Sequence, residues 1–198
     1  IQLAIALVLA LVLNRPTLRL SSMYRSLFFL PAVMSPAILA IVFRLLIASM
    51  EKNWLGDPKV VMWVIIAIGI WQTMGYNLVY FLAGLQTIPA ELYEAAEVDG
   101  AGFFRVLFSI TIPALLPILV VAVMFTGLLV FGEMALTSLT THGGPGDSTQ
   151  ILPYWAYLKG IQGGALGEGA AVALFMFPVL LVVAVLALRL AYRSGDDT

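Results

Sequence analysis

The 198-residue chain is 62% hydrophobic and only 11% charged, with a mean hydropathy of +1.03, more apolar side chain than a soluble domain of this size can bury and stay dissolved. It has no cysteine, which excludes disulfide frameworks, thiolate metal sites and cysteine nucleophiles. The net charge is −1 and the ten basic residues are scattered, whereas binding to a phosphate backbone needs clustered Lys or Arg; no nucleic-acid partner is expected.

A hydrocarbon core of ~30 Å takes ~20 apolar helical residues. By that measure five spans are predicted, at about 1–13, 27–48, 60–86, 112–136 and 169–192, making a single-domain, all-α polytopic bundle over 1–198. The first run, Ile1 to Leu13, has no initiator Met, charged leader or cleavage site, so the sequence is expected to start inside a helix and to be N-terminally truncated. Next comes a connection with Arg15, Arg19 and Arg25, then the span 27–48 with Pro31 and Pro36, and a short turn over 49–59. With Arg105, Arg189 and Arg193, these arginines outnumber Arg44, Lys52, Lys59 and Lys159 by six to four. That bias places 14–26, 87–111 and the C-terminus in the cytoplasm and the Gly-rich loop over 137–168 outside.

The span 60–86 carries Trp71, Gln72, Thr73, Tyr76 and Asn77, and the span 112–136 carries Thr126 and Glu133. Polar groups are costly in hydrocarbon and tend to face a bundle interior or water, so these are the candidates for a solute pathway. Thr126, Val130 and Glu133 stand at i, i+4 and i+7 and are expected to share a helix face. The other reading of Glu133 is a hydrated interfacial residue, or one paired with a neighbouring subunit.

Between those spans lies the most informative stretch, Ile88 to Pro117. Pro89 suits a first helical position, Glu91 complements a helix N-terminus, and Gly100 is a natural stop. A short helix outside the bilayer is therefore predicted. Leu92, Ala95, Ala96 and Asp99 share one face; Glu91, Glu94 and Glu97 fall on another. A small, smooth face beside a row of carboxylates fits docking onto a cationic partner surface. From the residues alone, a solvated connector is an equal reading. Phe103, Phe104, Leu107 and Phe108 then form an apolar stripe, expected of a separate helix lying in the interface.

The remaining signals are weaker. His142, the sole histidine, stands beside Gly143 and Gly144 and reads as a loop residue, with no companion ligand at metal-binding spacing. Gly160 with Gly164, and Gly163 with Gly167, have small-xxx-small spacing but precede the last span. No G-x-x-x-x-G-K-[ST] phosphate loop occurs; the nearest run, Gly163 to Glu168, has no Lys. No catalytic residue is identified.

The run Glu94-Ala95-Ala96, three residues, Gly100, nine residues, Ile110, one residue, Ile112-Pro113 resembles the EAA loop of binding-protein-dependent ABC transporter permeases, with Ile112 where the family usually has Leu. Phe28-Phe29-Leu30-Pro31, Leu85-Gln86-Thr87-Ile88-Pro89 and Gly143-Gly144-Pro145 are similar to the carbohydrate, maltose-type branch. The resemblance covers nearly the whole chain. It departs in lacking an N-terminal helix and in a Ser49 to Lys59 connection shorter than usual.

The resemblance implies a non-catalytic, multi-pass subunit of a prokaryotic inner membrane. Glu91, Glu94, Ala95, Ala96, Asp99 and Gly100 would couple it to two ATPase subunits, which use ATP and Mg in its stead. A second, different permease subunit, an extracytoplasmic solute-binding protein and membrane lipid are the other implied partners. It also implies that Thr73, Tyr76, Thr126, Val130 and Glu133 lie at or near a membrane sugar site, with Tyr76 able to stack on a sugar ring. Glu133, with no Lys or Arg in the same spans, favours neutral sugars over glycerol phosphate. An ion-coupled secondary transporter is the rival from another class, but it should show paired repeats and midplane carboxylates, and the sequence has one such Glu and no repeat.

Overall fold

The computed structural model describes residues 1–14 and 21–195, and every regular element among them is helical. In chain order these are α1 (Gln2–Leu13), α2 (Ser21–Val33), α3 (Pro36–Ala48), α4 (Val61–Leu85), α5 (Ala90–Val98), α6 (Phe103–Val106), α7 (Ile112–Gly132), α8 (Ala135–Thr140), α9 (Leu152–Tyr157) and α10 (Leu166–Gly195). π-helical turns at Leu107–Thr111 and Leu158–Gln162 carry α6 into α7 and extend α9. Of the residues used to orient the chain, Arg15 and Arg19 lie outside the described residues, as does the side chain of Arg193.

α4 is the central column: α1, α2 and α7 all pack on it. Ala6 and Ala10 of α1, Leu78 and Phe81 of α4, and Leu115 and Ala122 of α7 are fully enclosed in one apolar core. In hydrocarbon there is no water to drive helices together, so tight van der Waals packing, helped where small residues let backbones approach, and interhelical hydrogen bonds carry much of that work. Gly75 shows how close: a Cβ there would lie 2.7 Å from the carbonyl oxygen of Phe28 in α2. A second cluster joins Ile47 of α3, Val61, Ile65 and Ile68 of α4, and Leu136 of α8. At the end of α1, Arg25 donates from Nη2 to the Leu13 carbonyl at 3.1 Å, a cation at a helix C-terminus.

Two expectations are corrected. Residues 27–48 do not form one continuous span: α2 and α3 meet at a 99° bend. Pro36 offers no N–H to the carbonyl of Ala32, and it drives Ser35 out of helical geometry (φ −59°, ψ 134°). The phenylalanine stripe is not a separate interfacial helix, because α6 runs without a break through the π turn into α7. That wider turn sits just before Pro113, whose missing N–H disrupts the ordinary ladder there. The small-xxx-small spacings, weak as packing signals, do not mark the closest glycine contact either. Gly160 meets Gly169 of α10, so closely that a Cβ on Gly169 would lie 2.5 Å from Gly160 Cα.

α4, the run Phe103–Thr140 and the run Leu166–Arg189 are each long and apolar enough to cross a membrane. The bent α2–α3 pair meets the same test only when taken together, and α1 is a shorter apolar helix.

Candidate coupling segment and solute path

Beyond the end of α4, Pro89 (φ −57°, ψ 134°) caps α5, one position earlier than its expected place inside the helix. Glu91 stands in the first turn, where its charge complements the helix dipole. Gly100 ends the helix in the left-handed region at φ +66°. Its N–H donates to the Glu97 carbonyl at 3.0 Å, and the Ala101 N–H donates to that of Ala96 at 2.9 Å, the paired bonds of a Schellman stop.

Ala96 is buried, whereas Glu91, Glu94, Ala95, Glu97, Asp99 and Gly100 are exposed. The small face has a definite place. Leu92, Ala95, Ala96 and Asp99 form one wall of an open groove of about 460 Å³, whose other wall includes Arg105, Ser109 and Ile110. Tyr93 ties α5 to the helix that follows, its hydroxyl lying 3.2 Å from Thr111 Oγ1 in the π turn. α5 is thus a short, largely exposed helix tied by this side-chain bond to the π turn that leads into α7.

Within the bundle, the Thr73 hydroxyl lies 2.7 Å from both Gln2 Oε1 of α1 and the Gly69 carbonyl. Four residues on, Asn77 is fully buried; its Oδ1 accepts from the Thr126 hydroxyl of α7 at 2.9 Å, and its Nδ2 reaches the Thr73 carbonyl at 3.4 Å. A polar ladder therefore crosses α1, α4 and α7, bringing Thr73 and Thr126 into one network. Asn77 is legible as a mid-span amide; Gln2 was missed as a member, although it is the one polar side chain of the first apolar run.

Tyr76 is half-buried, edge-on to Phe29 and Phe125 at 6.0 and 6.1 Å between ring centres. Its hydroxyl donates to the Ala32 carbonyl, the group that Pro36 leaves without a helical partner. Val130, 48% exposed, stands one turn beyond Thr126. α7 ends at Gly132, so Glu133 (φ −81°, ψ 115°) lies past the helix, and the expected i+7 register does not reach it. Its Oε1 instead accepts from the Ala135 and Leu136 N–H groups at 2.6 and 3.2 Å, capping α8.

Compared with known families, residues 2–192 match the model of the binding-protein-dependent transport system inner membrane component. The chain belongs to that family. It is 32% identical over 205 residues to the arabinooligosaccharides transport system permease protein AraP of Bacillus subtilis, covering 94% of this chain and 65% of AraP. It is 39% identical over 143 residues to the sulfoquinovosyl glycerol transport system permease protein SmoG of Agrobacterium fabrum, covering 72% of this chain and 46% of SmoG. The chain thus spans from just under half to about two thirds of the length of these relatives. Its fold matches a chain of a bacterial ABC transporter involved in the import of the acidic polysaccharide alginate, with a TM-score of 0.71 and 23% identity over 95% of this chain and 71% of that one.

In this inner membrane transport component, α5 and the loop over 141–150 lie at opposite ends of α7. That loop is closed on itself: the buried Thr149 hydroxyl bonds the Gly144 carbonyl at 2.8 Å and lies 2.7 Å from Thr141 Oγ1. Among the described residues, no three His, Cys, Asp or Glu side chains gather as a metal site.

Proposed function

We propose that this chain is the permease subunit of an ATP-binding-cassette importer. It takes a small neutral sugar or oligosaccharide from an extracytoplasmic solute-binding protein and passes it inward by alternating access. The observation that carries the reading is α5, a nine-residue exposed helix with a glycine stop and an outward row of carboxylates. Glu91, Glu94 and Asp99 pair with cations of a partner ATPase, while Ala95, Ala96 and Gly100 leave room for its surface. Two such ATPases hydrolyse ATP with Mg, and a second, different permease completes the channel.

Displacement of α5 passes through the Tyr93–Thr111 contact to α7, which carries Thr126 and Val130. The cytoplasmic side is that of α5 and the C-terminus, as Arg25, Arg105 and Arg189 favour. Thr73, Tyr76, Thr126, Val130 and Glu133 line the route, exchanging their present protein partners for solute hydroxyls. α4 and α7 contain no Lys or Arg, and the carboxylate of Glu133 stands near the end of the route; both favour neutral solutes. AraP, named for arabinooligosaccharides, supports the sugar class. The sn-glycerol-3-phosphate permease UgpA of Yersinia enterocolitica, 30% identical, keeps an anionic solute as the competing outcome.

In proteoliposomes holding the assembled transporter, Glu94→Lys with Gly100→Trp should lower solute-stimulated ATP hydrolysis at least about ten-fold, the scale of one lost charge-assisted pair. Full stimulation in that variant would overturn the docking role of α5. Competition for uptake between neutral oligosaccharides and glycerol phosphate tests the solute class.

A further inference from the structure

The bond between Tyr93 and Thr111 continues into the backbone of the π turn. Thr111 is only 2% exposed, and its hydroxyl lies 3.4 Å from the Val106 carbonyl and 3.2 Å from the Tyr93 hydroxyl. It carries a single hydrogen, and a carbonyl has none to give. Thr111 therefore donates to Val106, and Tyr93 of α5 donates to Thr111. In an α-helix a Thr hydroxyl bonds the carbonyl three or four residues back. Here it reaches five back, the spacing of the π register, and the backbone agrees: the Ile112 N–H donates to the Leu107 carbonyl, again five back. The ordinary register would give that N–H to Phe108, but it would press the Pro113 ring on the Ser109 carbonyl. Each register thus carries a fault, and a hydroxyl bond of ordinary strength is enough to shift such a balance several-fold.

We propose that Thr111 is a positioning residue, and that the π turn is a register switch which Tyr93 holds in its wide form. α5 has room to release it, since no other helix packs extensively on α5. A second open groove, of about 340 Å³, is lined by Leu11, Leu85, Phe103 and Leu107 together with Tyr93 and Thr111. Free space therefore lies beyond both the Tyr93 face of α5 and its Leu92–Ala96 face. When α5 moves away, Thr111 loses the donor that polarises its own bond to Val106, and the turn relaxes to the ordinary register. One residue of register is worth about 100° of rotation and about 1.5 Å of rise between α6 and α7. The α6–α7 rod then takes one of two lengths and twists instead of bending continuously, so the motion reaches α7 as a step. This rests on the reading of α5 as the docking helix and adds how its motion is passed on.

The absence of cysteine allows nitroxides to be placed in the assembled transporter at Phe104→Cys and Val121→Cys, exposed positions on either side of the turn. Deleting Ser109 removes the extra residue and supplies the distance of the ordinary register, which should differ from the parent's by several ångström. Without nucleotide the parent should show almost only the π distance; trapped with ATP and vanadate, it should show a second, discrete population. Tyr93→Phe and Thr111→Val each remove one hydroxyl, and should raise that second population several-fold without nucleotide. The double variant should go no further than either single, because the two hydroxyls act in series. Thr111→Ser should restore the parent, and uptake per ATP hydrolysed should fall several-fold only in the variants that change register. A distance that ignores both Tyr93→Phe and Thr111→Val, or drifts without a second discrete population, overturns the switch. Variants that change register while ATP and vanadate leave the parent unmoved support the lock and overturn its part in coupling. Failure of the docking reading shows separately, as full ATP-driven uptake in Glu94→Lys with Gly100→Trp, and the nucleotide-free distances still decide the lock.

Discussion

At the Ala32 carbonyl a single hydroxyl does what a backbone N–H does elsewhere in the helix. Tyr76→Phe keeps the ring contacts with Phe29 and Phe125 but leaves that carbonyl unsatisfied. The expected loss is about 1–3 kcal/mol, seen as a lower thermal midpoint of the purified complex. Thr126→Val removes one bond to the buried Asn77 amide, and within a membrane such a bond averages only about 0.6 kcal/mol. A clear drop in solute affinity with little change in stability would therefore favour contact with solute at Thr126. Glu133→Gln keeps an acceptor for α8 while removing its charge, and Glu133→Leu removes both. If Glu133 acts only as a cap, Gln should preserve uptake and Leu should cost about 1 kcal/mol of stability.

Among the elements, α5 was the most legible, because Gly100, a helix-length run and two distinguishable faces all agree there. Gly100→Val places a β-branched side chain at positive φ and should destabilise the stop by about 1–2 kcal/mol, measurable as faster amide exchange across α5. α4 was legible for the same reason: one unbroken apolar run between turn signals. The α2–α3 bend was not, since Pro36 marks a break while its angle depends on what α4 and α8 offer on either side. The Gly160–Gly169 crossing was hidden because the partners sit on different elements, and spacing within one run cannot reveal a contact between two. Gly169→Leu forces a side chain into the Gly160 backbone and should separate α10 from α9, lowering the thermal midpoint; an unchanged midpoint would show that the crossing carries no stability.

Taken whole, the chain presents broad apolar faces. α10 exposes Leu174, Phe175, Phe177, Leu181 and Val182, and α3 exposes Ile38, Ile41 and Leu45. Lipid covers such faces as readily as another subunit does, which is why the sequence could mark them apolar without assigning them a partner. The candidate route was only partly legible for a related reason. Thr73, Asn77 and Thr126 are recognisable as polar groups in spans, but their joining into one network with Gln2 rests on tertiary contacts.

The Tyr76 hydroxyl then acquires a meaning beyond stability. If solute takes that hydroxyl for itself, the Ala32 carbonyl at the α2–α3 joint loses its partner at the same moment. Occupancy and bend angle become linked variables, and linkage is reciprocal. Whatever straightens the joint must strengthen solute binding by the same free energy by which solute weakens the bend.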